Sequence, residues 1–131
     1  MTLVKVIFLL TFRRDLDREA VSRWWRTDHG ALALKNTRMR RYVQNHWTAH
    51  IAAEHAGGGM PYQGCVEVWF DNMEDYEATM ASPEWKALEE DGPNGFEMAE
   101  LHGGFVTERI MRWDARPDAR IHTSAGEVPT P

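Results

Sequence analysis

The sequence predicts an α+β fold: a ferredoxin-like βαββαβ unit with a four-stranded antiparallel sheet, paired into a dimeric α/β barrel. Three observations carry this prediction. Segments with strand and helix patterning alternate as β-α-β-β-α-β, the ferredoxin-like order, which puts both helices on one face of the sheet. The first strand is apolar on both faces; two helices cannot cover the second face, whereas a second copy of the sheet can. Finally, 131 residues with 43% hydrophobic content suit one domain with a core of its own.

The elements follow in order. "LVKVIFLLTF" (Leu3 to Phe12) is rich in branched and aromatic residues and lacks Gly and Pro, so it reads as the first strand. Val4, Val6, Phe8, Leu10 and Phe12 fall on one face; Ile7 and Leu9 fall on the other. "DLDREAVSRWWRTDHG" starts a helix, with Asp15 or Asp17 as N-cap and Glu19 at its positive end. Val21, Trp24, Trp25 and Asp28 or His29 share a side at spacings of three and four. Gly30 is the expected stop, which places His29 in the last turn. "MRRYVQNHWT" (Met39 to Thr48) is the second strand: Tyr42, Gln44, His46 and Thr48 alternate against Arg41, Val43, Asn45 and Trp47. Gly57, Gly58, Gly59 and Pro61 mark a mobile loop.

"GCVEVWFD" (Gly64 to Asp71) is the third strand, with Val66, Val68 and Phe70 opposite Cys65, Glu67 and Trp69. "NMEDYEATMASPEWKALEEDG" is helical, capped by Asn72 and broken at Ser82-Pro83, with Tyr76, Met80, Trp85 and Leu88 as its buried stripe. "FVTERIMRW" (Phe105 to Trp113) is the last strand. The domain therefore spans residues 1–113. Residues 114–131, with three prolines and little apolar content, form an arm or tail.

Composition narrows the partners. The formal charge is −5, from 15 basic and 20 acidic residues, which argues against nucleic acid. No apolar run approaches the ~18 residues of a membrane span. Cys65 stands alone, so no internal disulfide forms. The short apolar run Val6 to Leu10 is followed by charge, not by a signal-peptide cleavage site, and the expected location is cytoplasmic. No dinucleotide fingerprint or phosphate loop is present, and no cofactor is expected.

Four stretches, "RWWRTDHGAL", "RRYVQNH", "GCVEVWFD" and "SPEW…DGPNGF", taken together and in this order, resemble the EthD family of dimeric α/β-barrel proteins. The resemblance covers Val4 to about Arg112. It implies a homodimer. It also implies relatives that include methylmuconolactone isomerases, dehydratases, decarboxylases or cyclases of aromatic polyketides, and accessory proteins of ether degradation. By position, His29, Tyr42, His46 and Glu67 are the matching polar residues. Cys65 departs from the commoner aliphatic residue. In this it is similar to the methylmuconolactone isomerases, where a cysteine is associated with the active site.

Each candidate has two readings. His29 is either a helix-end histidine favoured by the dipole or a titratable group beside Trp24 and Trp25. Glu67, in an apolar strand, either pairs with Arg40 or Arg41 or orients an imidazole. Tyr42 and His46 share a layer, either as satisfied core groups or as a proton donor and its partner. Cys65 is a small buried hydrophobe unless a neighbour lowers its pKa. His46, His50, Glu54 and His55 have a spacing reminiscent of metal ligands, but a strand running into glycines does not supply the geometry, so no metal site is expected. Phe8, Trp24, Trp25 and Trp69 are candidates to wall a flat hydrophobic pocket.

The leading expectation is a cofactor-independent enzyme of the dehydratase, cyclase or isomerase type. Its substrate would be a small hydrophobic cyclic carbonyl compound such as an aromatic polyketide or a lactone. His29 would be the general base, Glu67 or His46 would orient it or the substrate, and Tyr42 would donate to a developing enolate. The alternatives are a non-catalytic binding protein for a hydrophobic metabolite and a haem or quinone monooxygenase of the same fold, kept open by Asn45, His46 and Trp47.

Overall fold

The computed structural model describes residues 3–49 and 61–113, together with the backbone of 122–123 and 126–127. The first strand, β1, is Val4–Leu10. A helical segment follows in three parts: α1 (Arg18–Trp24), a π-helical turn (Trp25–His29) and α2 (Gly30–Ala33). Then come β2 (Met39–His46), β3 (Gly64–Phe70), α3 (Met73–Met80), α4 (Pro83–Asp91) and β4 (His102–Val106). The four strands form one sheet in the order β2-β3-β1-β4, with every neighbouring pair antiparallel. This is the ferredoxin-like order. A short antiparallel pair, His122–Thr123 with Gly126–Glu127, lies in the tail; the rest of 114–131 is outside the described residues, as are Gly57, Gly58 and Gly59.

Local chemistry sets the helix starts. The Asp17 carboxylate accepts from the Ala20 amide at 2.9 Å. Asn72 does the same for Asp75 at 2.7 Å, and the Ser82 hydroxyl does so for Trp85 at 3.1 Å. Each satisfies one amide that the helix leaves unpaired. Pro83 then occupies the first turn of α4, where its missing N–H costs nothing.

The core lies on the helix face of the sheet. Val6, Leu10 and Phe12 meet Val66, Val68 and Phe70 under Val21, Trp25 and Phe96. The opposite face carries Lys5, Ile7 and Leu9 from β1, Cys65, Glu67 and Trp69 from β3, and Arg41, Val43 and Asn45 from β2, as the registers require. Lys5 pairs there with Glu67 at 2.9 Å and Glu108 at 2.8 Å, and lies over the Trp69 ring. This face is therefore not wholly apolar, because Lys5 stands in line with Ile7 and Leu9.

Two expectations need correction. The last strand is His102–Val106 and not Phe105–Trp113; residues 107–113 are exposed and outside the sheet. Gly103 pairs with Phe8, and a Cβ at Gly103 would stand 2.8 Å from the Phe8 ring. The glycine makes room for an aromatic side chain, and its low strand propensity hid the strand. Likewise, Gly30 does not end the helix. It has ordinary helical angles, φ −60° and ψ −38°, and the chain runs one further turn.

Gly64 is the seat of the fully buried Trp25 ring: a Cβ there would lie 2.6 Å from Trp25 Cζ3. Trp25 is also in edge contact with Phe12 and Phe96, so it has nowhere to retreat. Gly64→Ala is expected to destabilise the domain by about 1–3 kcal/mol, the usual scale of overpacking, read as a lower thermal midpoint. An unchanged midpoint would mean that the ring is not confined as described.

Candidate functional site

A cavity of about 130 Å³ lies between the sheet and the helices. Phe8, Leu10, Tyr42, Val66 and Val68 form its floor. Trp25, His29 and Ala33 form one wall, and Trp85, Leu88, Glu89, Phe96 and Met98 the other. The lining is almost entirely apolar, and two of its few polar groups are His29 and Tyr42.

The π turn places His29. In an α-helix, residues five apart point about 140° away from each other. Widening the turn towards i→i+5 bonding brings them onto one side. Trp24 and His29 thus stack with ring centroids 4.6 Å apart, while Phe96 closes perpendicular to the imidazole at 5.3 Å. This accounts for two adjacent tryptophans: Trp24 packs on His29, and Trp25 fills the core.

His29 is buried, and its Nδ1 lies 2.9 Å from Asp91 Oδ2. A carboxylate only accepts, so Nδ1 carries the proton and Nε2 keeps its lone pair. Asn94 Nδ2 donates to the other Asp91 oxygen at 2.9 Å, which holds the carboxylate in place. Burial pulls the His29 pKa below the ordinary histidine value, and Asp91 opposes this without overcoming it. The result is a neutral imidazole with one basic nitrogen, oriented by a carboxylate.

Tyr42 belongs to a second network. Gln44 Nε2 donates to the Tyr42 hydroxyl at 2.8 Å and to the Trp25 carbonyl at 2.9 Å. His46 Nε2 is 2.8 Å from Gln44 Oε1, and His46 Nδ1 is 2.8 Å from Ser22 Oγ. The His46 ring stacks on Trp25 at 4.1 Å. Burial pushes the Tyr42 phenol above its usual range; Gln44 and the facing Trp25 indole oppose that shift. Burial and then the charge of Arg26 hold His46 below its usual value. With both ring nitrogens hydrogen-bonded, His46, one of the three residues that kept the haem alternative open, is not placed to ligate an iron.

The sheet separates the remaining candidates from this cavity. Glu67, Cys65 and Trp69 are on the opposite face. Glu67 does not approach His29, because alternation along β3 turns it away from Val66 and Val68. It accepts from Asn45 Nδ2 at 2.9 Å and pairs with Lys5, not with Arg40 or Arg41 by hydrogen bond. Burial raises its pKa, but Asn45, Lys5 and Arg41 together bring it below the usual carboxylate value. Burial, reinforced by Glu67, pushes the Cys65 thiol up, which leaves it protonated and a poor nucleophile. The cavity contains Phe8 and Trp25; Trp24 flanks His29 and Trp69 is outside.

The group that hydrogen-bonds His29 is Asp91, and not Glu67 or His46 as expected. Its signal was the spacing from Leu88, three residues earlier on the buried stripe of α4. Gln44 also went unselected, although alternation placed it between Tyr42 and His46. Among the described residues, no group of three or more His, Cys, Asp or Glu could hold a metal; His50, Glu54 and His55 are outside them. Among the same residues, no helix is long and apolar enough to cross a membrane.

An NMR titration of His29 in the folded protein is expected to give a midpoint below about 6.5. Asp91→Asn removes the opposing charge and moves the midpoint further down. The unfolded chain then binds this proton at higher pH than the folded one, so His29 withdraws stability as pH falls from about 6.5 towards its own lower pKa. A midpoint above 6.5 would contradict burial as the dominant effect, and an upward move in Asp91→Asn would contradict the opposing role of Asp91.

Comparison with known proteins now adds to this geometry. No curated protein matches the chain. Among solved structures, an EthD (ethyl tert-butyl ether D) family protein from Bacillus halodurans matches with a TM-score of 0.67 at 20% identity, over 82% of this chain and 100% of that one. A dimeric protein of ferredoxin-like fold from Bacteroides fragilis matches with a TM-score of 0.60 at 19% identity, over 81% and 96%. The hydroxynitrile lyase of Passiflora edulis matches with a TM-score of 0.61 at 13% identity, over 82% and 96%. At these identities the likenesses speak to the fold. The EthD domain model matches residues 13–97, which include the π turn, β2, β3 and Asp91, and the chain belongs to the EthD family.

Proposed function

We propose that the protein is a general acid–base enzyme acting on a small, single-ring hydrophobic carbonyl compound. One observation carries this reading: a neutral imidazole, held through Nδ1 by Asp91, lines an apolar cavity that Tyr42 also lines. His29 Nε2 takes a proton from the carbon beside the carbonyl. The Tyr42 O–H donates to the oxygen as the enolate forms, and the low dielectric of the cavity strengthens that bond. Return of the proton to another carbon is isomerisation; its transfer from His29 Nε2 to a β-hydroxyl, which leaves as water, is dehydration. The chemistry supports lyase or isomerase activity, and one structural neighbour is a lyase.

Cavity size refines the substrate. An apolar cavity of about 150 Å³ accommodates benzene, and the volume here is about 130 Å³. A monocyclic lactone or ketone is therefore favoured over a fused polyketide. The homodimer belongs to the same reading, with the outer sheet faces of two copies meeting over Ile7, Leu9 and Val43; a structural neighbour is dimeric. Light scattering at micromolar concentration is expected to give twice the chain mass of 15.1 kDa, and the single-chain mass would refute the pairing.

The chemical test does not need the natural substrate. Monocyclic ketones and lactones incubated in D₂O with the protein are expected to exchange their α-protons, as followed by NMR. His29→Gln should slow the exchange by roughly 10²- to 10⁴-fold and Tyr42→Phe by roughly 10²- to 10³-fold. Ligands that bind without exchange would replace this reading with the sheltering of a hydrophobic metabolite.

A further inference from the structure

The network behind Tyr42 has only one consistent arrangement of protons. The Trp25 carbonyl only accepts, so the Gln44 atom 2.9 Å from it is the amide nitrogen, and Oε1 faces His46. Both Gln44 amide protons are then used, one on Trp25 O and one on the Tyr42 hydroxyl. Since Gln44 Oε1 only accepts, His46 Nε2 must carry a proton. Burial and Arg26 keep His46 neutral, so its Nδ1 is bare and accepts from the Ser22 hydroxyl. Arg26 Nη1 donates to Ser22 Oγ at 3.1 Å and leaves the Ser22 proton free for His46.

The geometry points to a one-way relay, Arg26 to Ser22 to His46 to Gln44 to Tyr42, whose last proton is presented to a ligand oxygen in the cavity. Tyr42 receives from Gln44 and forms no hydrogen bond as a donor among the described residues. Ser22, His46 and Gln44 are thus positioning residues. They fix the phenol as a donor, which selects ligands that place an acceptor oxygen against Tyr42 and disfavours those that place a donor there. Gly30 is part of the device, since a Cβ there would stand 3.1 Å from Trp25 O and 3.4 Å from Gln44 Nε2. The relay makes the two histidines opposite tautomers: His29 protonated on Nδ1, His46 on Nε2.

This inference rests on the reading of Tyr42 as a donor, but it has a test of its own. Long-range ¹H–¹⁵N NMR of histidine-labelled wild-type protein above neutral pH reads the tautomers directly. His46 is expected with Nε2 protonated and Nδ1 bare, and His29 with the reverse. His46 protonated on Nδ1 would overturn the relay whatever Tyr42 does. A second measurement uses acetophenone as the probe and the infrared frequency of its carbonyl. Bound to the wild type, the band should move to lower frequency, and Gln44→Met or His46→Leu should diminish that shift. His46→Gln, which restores an amide donor towards Gln44, should recover it. An equal shift in wild type, Gln44→Met and His46→Leu overturns the relay and leaves Tyr42 as the donor. An equal shift in wild type and Tyr42→Phe overturns Tyr42 as the donor and the relay with it.

Discussion

The immobility of Trp25 holds the interior together. Its indole is fully buried, rests on the bare backbone of Gly64, touches Phe12 and Phe96 edge-on and stacks on His46. Its carbonyl is the fixed acceptor that decides which way the Gln44 amide faces. Removing a buried tryptophan typically costs about 3–5 kcal/mol, a large share of the roughly 5–15 kcal/mol that holds a domain folded. Here the loss would also reach the polar network, since the His46 ring that bonds Gln44 packs on this indole.

The sheet divides charge from neutrality. On the helix face His29 and His46 are held neutral by burial, and their protons are placed by hydrogen bonds. On the other face Lys5 meets Glu67 and Glu108 as an ion cluster beside a protonated thiol. Buried ions need partners, and Lys5 has two carboxylates and an aromatic face. Behind the cavity wall, the charge of Asp91 holds the His29 imidazole through Nδ1.

Strand alternation made much of this legible. It grouped Tyr42, Gln44 and His46 on one face and Cys65, Glu67 and Trp69 on another, and the structure keeps both groups. Combined with the rule that the helices lie on one side, that alternation already separates Glu67 from a helix-side histidine. The last strand begins three residues before the expected start and ends seven before the expected end, and its glycines carry little strand signal. The sequence sets His29 beside Trp24 and Trp25, but not the widened turn that packs Trp24 on it. Residues five apart are not neighbours on an α-helix, and nothing in the residue types announces a widened turn. Asp91 was not legible as the partner of His29, which is 62 positions away in sequence.

The glycines beneath the aromatic rings carry a consequence for descent. Trp25 occupies the space a side chain at Gly64 would need, and Phe8 does the same at Gly103. Neither member of such a couple can change size alone without overlap or an empty space. Their substitutions are therefore non-additive, and lineages that replace one ring with a smaller side chain are free to enlarge the facing glycine. The expected trace in relatives is paired change, position 25 with 64 and position 8 with 103, so that Trp25 and Phe8, which line the cavity, change size together with a glycine behind them.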